Sequence, residues 1–316
     1  MARKLPLVVA CFLAIYLIWG STYLAVVLGL ESIPPLMLMG IRSIAGGIIL
    51  LTLGWRGIAT VSAGTWGSAV ACGLLFFLGC HGILAYAQQT VPSGIAAIVL
   101  ATVPFWIVFL EYVVPGERRP SPWKLLALLP GFAGVALIAW QNISERPVGA
   151  GPILLLLASA LSWAAGSLLS KRTSPAGSGV SISGMQLAAG GVALLLVSLV
   201  IGEFRDFSPG AVSNISLAAV AYLILAGSVV GFAAFHWLLD NVPTTQVSTY
   251  TFVNPVVAVG LGWFFLQERL SLTMLLGGLM VVASVVAIWR TESISETRPA
   301  KKAKLRGLSL APTTRS

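Results

Sequence analysis

Ten apolar runs, each close to the length of a membrane-crossing helix, constrain this chain more than any other feature. A helix needs roughly 20 predominantly apolar residues to cross the hydrocarbon of a bilayer. Runs of that kind lie at approximately 7–28, 35–53, 66–88, 93–113, 122–140, 151–170, 181–201, 217–239, 246–266 and 271–289. Turn chemistry separates them: Ser32-Ile33-Pro34-Pro35, Pro115-Gly116-Glu117-Arg118-Arg119-Pro120, Ser174-Pro175-Ala176-Gly177 and Asn241-Val242-Pro243. The chain is 57% hydrophobic and only 9% charged, where soluble domains carry about 25% charged residues. That leaves too little polar surface for a body in water. Inside lipid, helices and closed barrels alone satisfy every backbone polar group, and runs of this length select helices. The expected fold class is an all-α polytopic membrane protein with ten transmembrane helices.

Met1-Ala2-Arg3-Lys4 followed by an apolar run has the outline of a signal peptide, but the run from Leu5 to Leu30 is too long and no small-residue cleavage site follows. It reads as a retained first span. With a cytoplasmic N-terminus, the inner segments hold fifteen Lys and Arg residues, seven of them from Arg290 onward. The outer loops hold three: Arg146, Arg205 and Arg269. This bias puts both termini in the cytoplasm. The net charge of +9 therefore orients the chain; no basic stripe follows a helix face, so nucleic acid is not an expected partner. Cys11, Cys72 and Cys80 all lie in apolar runs, with neither a disulfide framework nor metal-ligand spacing.

Three short motifs recur at one offset. Val91-Pro92 returns as Val242-Pro243, Pro104 as Pro255, and Glu117-Arg118 as Glu268-Arg269, each 151 residues later. Trp19 and Trp163 form a looser pair, as do Trp140 and Trp289. The chain thus divides into a first five-helix repeat (1–144), a second (145–290) and a disordered, basic cytoplasmic tail (291–316). Five spans per repeat is odd, so the second copy enters the membrane from the opposite side. Loop charge agrees: the first Glu-Arg pair sits among further cations, whereas its duplicate has none. Inverted repeats suit alternating access to a site between them.

Candidate functional residues lie inside the spans. Pro104 and Pro255 fall mid-run in equivalent spans, freeing the carbonyls of Leu100 and Thr251. They are read either as hinges at a central cavity, where Asn254 and Tyr250 would add polar groups, or as packing kinks. Trp19, Ser21 and Tyr23 on the first span, echoed by Trp163 on the sixth, supply aromatic and hydroxyl groups at mid-membrane; they suit a pocket for an organic solute or plain helix packing. Arg42 is the one strong base within a span, and a charge there is costly unless hydrated or paired; substrate contact and structural pairing both stay open. His81 and His236 are candidate titrating groups or packing residues, and Glu111 lies near the inner end of the fourth span. No phosphate-cradling glycine loop appears, and no pair of intramembrane carboxylates. No cofactor or metal is expected, and neither ATP hydrolysis nor hydrolytic chemistry. Proton coupling would have to use Glu111, His81 or His236.

Ile18-Trp19-Gly20-Ser21-Thr22-Tyr23, Pro92-Ser93-Gly94-Ile95-Ala96-Ala97 and Ala101-Thr102-Val103-Pro104 in the first half resemble the EamA family of the drug/metabolite transporter superfamily. In the second half Ser162-Trp163-Ala164, Asn254-Pro255-Val256-Val257-Ala258 and Glu268-Arg269-Leu270 do the same, so the resemblance covers nearly all of 5–290. It implies a bacterial inner-membrane carrier with a five-plus-five inverted arrangement. It further implies a cavity between the first, third, fourth, sixth, eighth and ninth helices, and ATP-independent export of a small organic solute such as an amino acid or a drug-like molecule. His236 and Pro130 depart from the family pattern. The rival readings are an enzyme acting on lipid-linked substrates, which would need paired carboxylates or a His/Asp cluster, and a non-transporting scaffold.

Overall fold

The computed structural model describes residues 4–58, 61–91, 96, 99–114, 122–143, 150–174, 179–205, 207–266 and 272–308. The described residues form helices and turns. In chain order the principal helices are α1 Leu5–Leu30, α2 Pro35–Leu53, α3 Ala63–Ala87, α4 Val103–Val113, α5 Pro122–Ile143, α6 Ala150–Thr173, α7 Gly179–Ile201, α8 Asn214–Asn241, α9 Tyr250–Leu266 and α10 Leu272–Leu308. Six of them (α1, α2, α3, α6, α7 and α8) are long and apolar enough to cross a membrane, and Val103–Val113, Leu125–Leu137 and Leu275–Thr291 are shorter apolar helical stretches. Outward-facing Leu13, Leu17, Leu196, Val200 and Leu225 are exposed, as side chains against lipid tails should be. α10 runs on through 291–308, where composition reads a disordered tail; Ala, Lys, Glu and Arg in that stretch are good helix formers. The Pro92 and Glu-Arg motifs, Glu117-Arg118 and Glu268-Arg269, lie outside the described residues, as does the boundary at 144–145.

The helices pair in a pattern that survives exchange of the two halves. α2 packs along α7 and α5 along α10. α1 packs on α9 and α8, just as α6 packs on α4 and α3, and α7 lies on α3 as α2 lies on α8. Glycine makes the central seam possible. A methyl on Gly47 would come within 2.7 Å of the Ala188 backbone nitrogen, and one on Gly184 within 2.8 Å of that of Leu51, so the α2 and α7 backbones nearly touch. Small residues serve this purpose between helices in lipid, where packing rather than water exclusion drives association. At the end of this pair Gly202 takes a positive φ of 89°, which turns the chain so that Glu203 reaches the N-terminus of α2. Its carboxylate accepts hydrogen bonds from the Leu36 and Met37 amides at 3.1 and 2.9 Å and from the Ser198 hydroxyl at 2.6 Å. It thereby caps orphan donors and complements the helix dipole.

α3 and α8 share a second irregularity. Each contains a π-helical stretch, Leu74–Gly82 and Leu223–Val230, where the wider turn shifts side chains and alters which carbonyls are bonded within the helix. Partner helices supply donors to these stretches. Ser162 of α6 donates to the Leu75 carbonyl at 2.8 Å and Ser159 to that of Cys80 at 3.1 Å; in the other half, Trp19 of α1 donates its indole N–H to the Gly227 carbonyl at 3.0 Å. The two prolines expected to break spans differ. Pro255 sits inside α9, as expected. Pro104 instead occupies the first turn of α4, because a turn at Ala101-Thr102 interrupts the run just before it. Proline costs nothing at that position, where its missing N–H would be unpaired in any case.

Candidate functional site

Between α1, α2, α3, α4, α6 and α9 lies a narrow cavity of about 60 Å³. Its apolar wall is aromatic. The Trp19 ring meets Tyr250 edge-on at 4.7 Å and Trp163 at 5.6 Å, while Trp163 lies 5.1 Å from the His81 imidazole. The indole N–H of Trp19 is held by the Gly227 carbonyl, so the ring that divides cavity from core has a fixed orientation. Behind it, Phe76, Phe77, Phe232 and Phe235 form a fully buried aromatic block in which Phe232 and Phe235 stack at 5.8 Å. Such offset and edge-to-face rings contribute about 0.5–1.5 kcal/mol per pair beyond their burial. This block packs against Trp19 and Trp163.

The polar wall is sparse and incompletely bonded. Tyr23 and Asn254 face the same space, and Asn254 Oδ1 has no partner, nor do Nδ1 of His81 and both polar atoms of the Gln88 amide. Arg42 lines the same space and is only 5% exposed. Its Nε donates to Ser228 Oγ at 3.3 Å and its Nη1 lies 3.8 Å from Met39 Sδ. Buried polar atoms are nearly always bonded in native proteins, so a group of unpartnered ones around a single space marks the place where a ligand or water would bind.

Trp19, Tyr23, Arg42, His81, Trp163, Tyr250 and Asn254 all line this one space. Ser21 does not. It bonds the Tyr222 hydroxyl and the Ile18 carbonyl on the α8 side of α1, since two positions from Trp19 is about 200° around a helix. His236 also lies elsewhere, within the aromatic block. Its Nε2 is 3.0 Å from Ser170 Oγ, which accepts from the Gln186 amide at 3.0 Å, and its Nδ1 is 3.1 Å from the Phe232 carbonyl. Glu111 is half-buried on α4 away from the cavity lining. Thr22, Met39, Cys80, Gln88 and Thr251 join the lining without having been singled out. Gln88 next to Gln89 reads as the polar end of a span, and only the packing of α3 turns it inward. No group of three or more His, Cys, Asp or Glu side chains suited to a metal occurs among the described residues.

The EamA-like transporter family profile matches twice, over residues 6–140 and 151–290. The chain belongs to the EamA-like transporter family. It is 36% identical over 94% of its length, and 95% of the relative's, to the uncharacterized inner membrane transporter YedA of Escherichia coli (strain K12). It is 27% identical to the uncharacterized transporter YvbV of Bacillus subtilis (strain 168), covering 90% of this chain and 93% of that one. A probable amino-acid metabolite efflux pump of Escherichia coli (strain K12) is 22% identical over 86% of this chain and 91% of that protein. A solved crystal structure shares the fold with a TM-score of 0.71, covering 89% of this chain and 95% of that one at 17% identity.

Proposed function

We propose that this EamA-family chain is an ATP-independent carrier of the bacterial inner membrane that exports a small organic solute, an amino acid or a drug-like metabolite, through the cavity at Trp19, Tyr23, His81, Trp163, Tyr250 and Asn254. The observation that carries the reading is the joining of three things in one space: aromatic walls, unpartnered polar atoms, and helices contributed by both halves. The double match of the family profile, the exchange-symmetric helix pairing and the paired π stretches support ten spans arranged as two inverted five-helix repeats, with domain limits near 1–144 and 145–290. Such repeats suit alternating access around a central site.

At about 60 Å³ the cavity has room for a few waters, whereas sites for drug-sized ligands occupy about 300–1,000 Å³. Solute entry on this reading requires the helices to part. The lining residues sit in the C-terminal parts of α1 and α3 and the N-terminal parts of α2 and α9, with Trp163 midway along α6.

Purified protein in liposomes, offered a panel of labelled amino acids, sugars and xenobiotics with and without a pH gradient, tests the proposal. Saturable flux of at least one solute is expected. Folded protein that moves none of them would return the membrane-enzyme and scaffold readings to the front. Single-cysteine labelling from either side of the membrane checks the orientation, with residues near both termini expected to react from the cytoplasmic side.

A further inference from the structure

Among the described residues, the cavity wall carries a positive charge with no counter-charge. Arg42 is 5% exposed, and its bonding partners among the described residues are neutral: the Ser228 hydroxyl and the Met39 thioether. Among the described residues the lining includes no aspartate or glutamate. A guanidinium held this way in a membrane interior is expensive unless water or an anion completes its shell. Gly227 stands beside it, and a methyl there would lie 3.7 Å from Nη2, in ordinary van der Waals contact. Ser228, the following residue, holds Nε from the side. The π stretch of α8 brings both residues to this point.

From this we infer that Arg42 receives the carboxylate of the transported solute; the inference rests on the transport reading above and names the solute class for that site. The planar fork of arginine matches a carboxylate through two parallel N–H···O bonds. Asn254 Oδ1 and the Gln88 amide, unpartnered in the same cavity, offer an acceptor and a donor for polar groups elsewhere on the solute. Trp19, Trp163 and Tyr250 cover its apolar part. A cation lacking a carboxylate would meet an unbalanced guanidinium with no acid to offset it, and is therefore disfavoured.

The test compares acids with their neutral analogues, on binding and on flux separately. Binding is read from intrinsic fluorescence, since Trp19 and Trp163 form the cavity wall, using lactate, L-alanine, L-leucine and L-phenylalanine, each beside its carboxamide, and phenethylamine. At least one acid is expected to saturate the signal, with its carboxamide at least tenfold weaker. Arg42→Gln should raise the half-saturation concentration at least tenfold, and Arg42→Lys should recover part of it. Flux in liposomes should follow the same order. Carboxamides or phenethylamine that bind or move as well as the acids overturn the inference while leaving transport standing, and this comparison needs only the wild-type chain. Unchanged affinity in a folded Arg42→Gln protein overturns it as well, as does a set of acids none of which binds. Acid binding that depends on Arg42 without any flux upholds the inference about the site and defeats the transport reading instead.

Discussion

Gly231→Ala probes the contact that orients the cavity wall. Gly231 begins the helical turn after the π stretch of α8, and a methyl there would overlap the indole nitrogen of Trp19. To reach ordinary van der Waals separation the indole must withdraw by about 1 Å. Its 3.0 Å bond to the Gly227 carbonyl is then lost, which removes about 1 kcal/mol and leaves a buried carbonyl short of a donor. Overpacking adds roughly 1–3 kcal/mol, and the better helix propensity of alanine returns up to about 1 kcal/mol. The net expectation is a loss of about 1–4 kcal/mol, with solute flux reduced because Trp19 also faces Trp163 and Tyr250 across the cavity. Gly67→Ala is the control, since nothing lies within 4 Å of the added methyl; it should be neutral or slightly stabilising. Thermal unfolding in detergent and flux in liposomes are the readouts, the former moving by about 2–4 °C per kcal/mol. Trp19→Phe alone should cost about 1 kcal/mol for the lost indole bond, and in combination with Gly231→Ala should cost less than the two separately, because the overlapping atom has gone. A Gly231→Ala protein that melts and transports like Gly67→Ala, or strict additivity in the double variant, refutes the reasoning.

Asn254→Ala removes an unpartnered cavity acceptor. Half-saturation for the transported solute should rise by about 5–30-fold, the equivalent of roughly 1–2 kcal/mol, with the protein still inserted and folded; wild-type kinetics would remove Asn254 from the site. Ser21→Ala should leave half-saturation unchanged in the same assay, because Ser21 bonds Tyr222 outside the cavity, and a large rise would return it to the lining. His236→Phe removes the imidazole partner of Ser170, which keeps Gln186 and Ser174. A stability loss of about 1–3 kcal/mol is expected without a change in half-saturation, and unaltered melting would show that the Ser170–His236 bond contributes nothing.

What could be read along the chain depended on whether its cause was local. The long apolar runs follow from the lipid solvent alone, so α1, α2, α3, α6, α7 and α8 were legible as spans. Trp19 and Trp163 were legible as a pair because they occupy loosely corresponding places in two copies, and the structure sets their rings 5.6 Å apart. Pro104 was misjudged for a local reason: hydropathy does not register the turn at Ala101-Thr102, which moves the proline from the middle of a helix to its first turn. Ser21, Gln88 and His236 needed the direction in which each helix faces, and helices apolar on every side do not encode it. α1, for example, has leucines and valines around its whole circumference, so periodicity cannot separate its lipid face from its cavity face.

Arg42 lies between these cases. Its rarity made it visible, yet its role turns on what it meets. A carboxylate partner would have made it a structural pair. Its bonded neighbours among the described residues, Ser228 and Met39, are neutral, and it lines the cavity. The Gly227 carbonyl fixes Trp19, and the next residue, Ser228, holds Arg42. Both depend on the irregular stretch of α8, so whatever movement widens the cavity there must alter the aromatic wall and the charged wall at once.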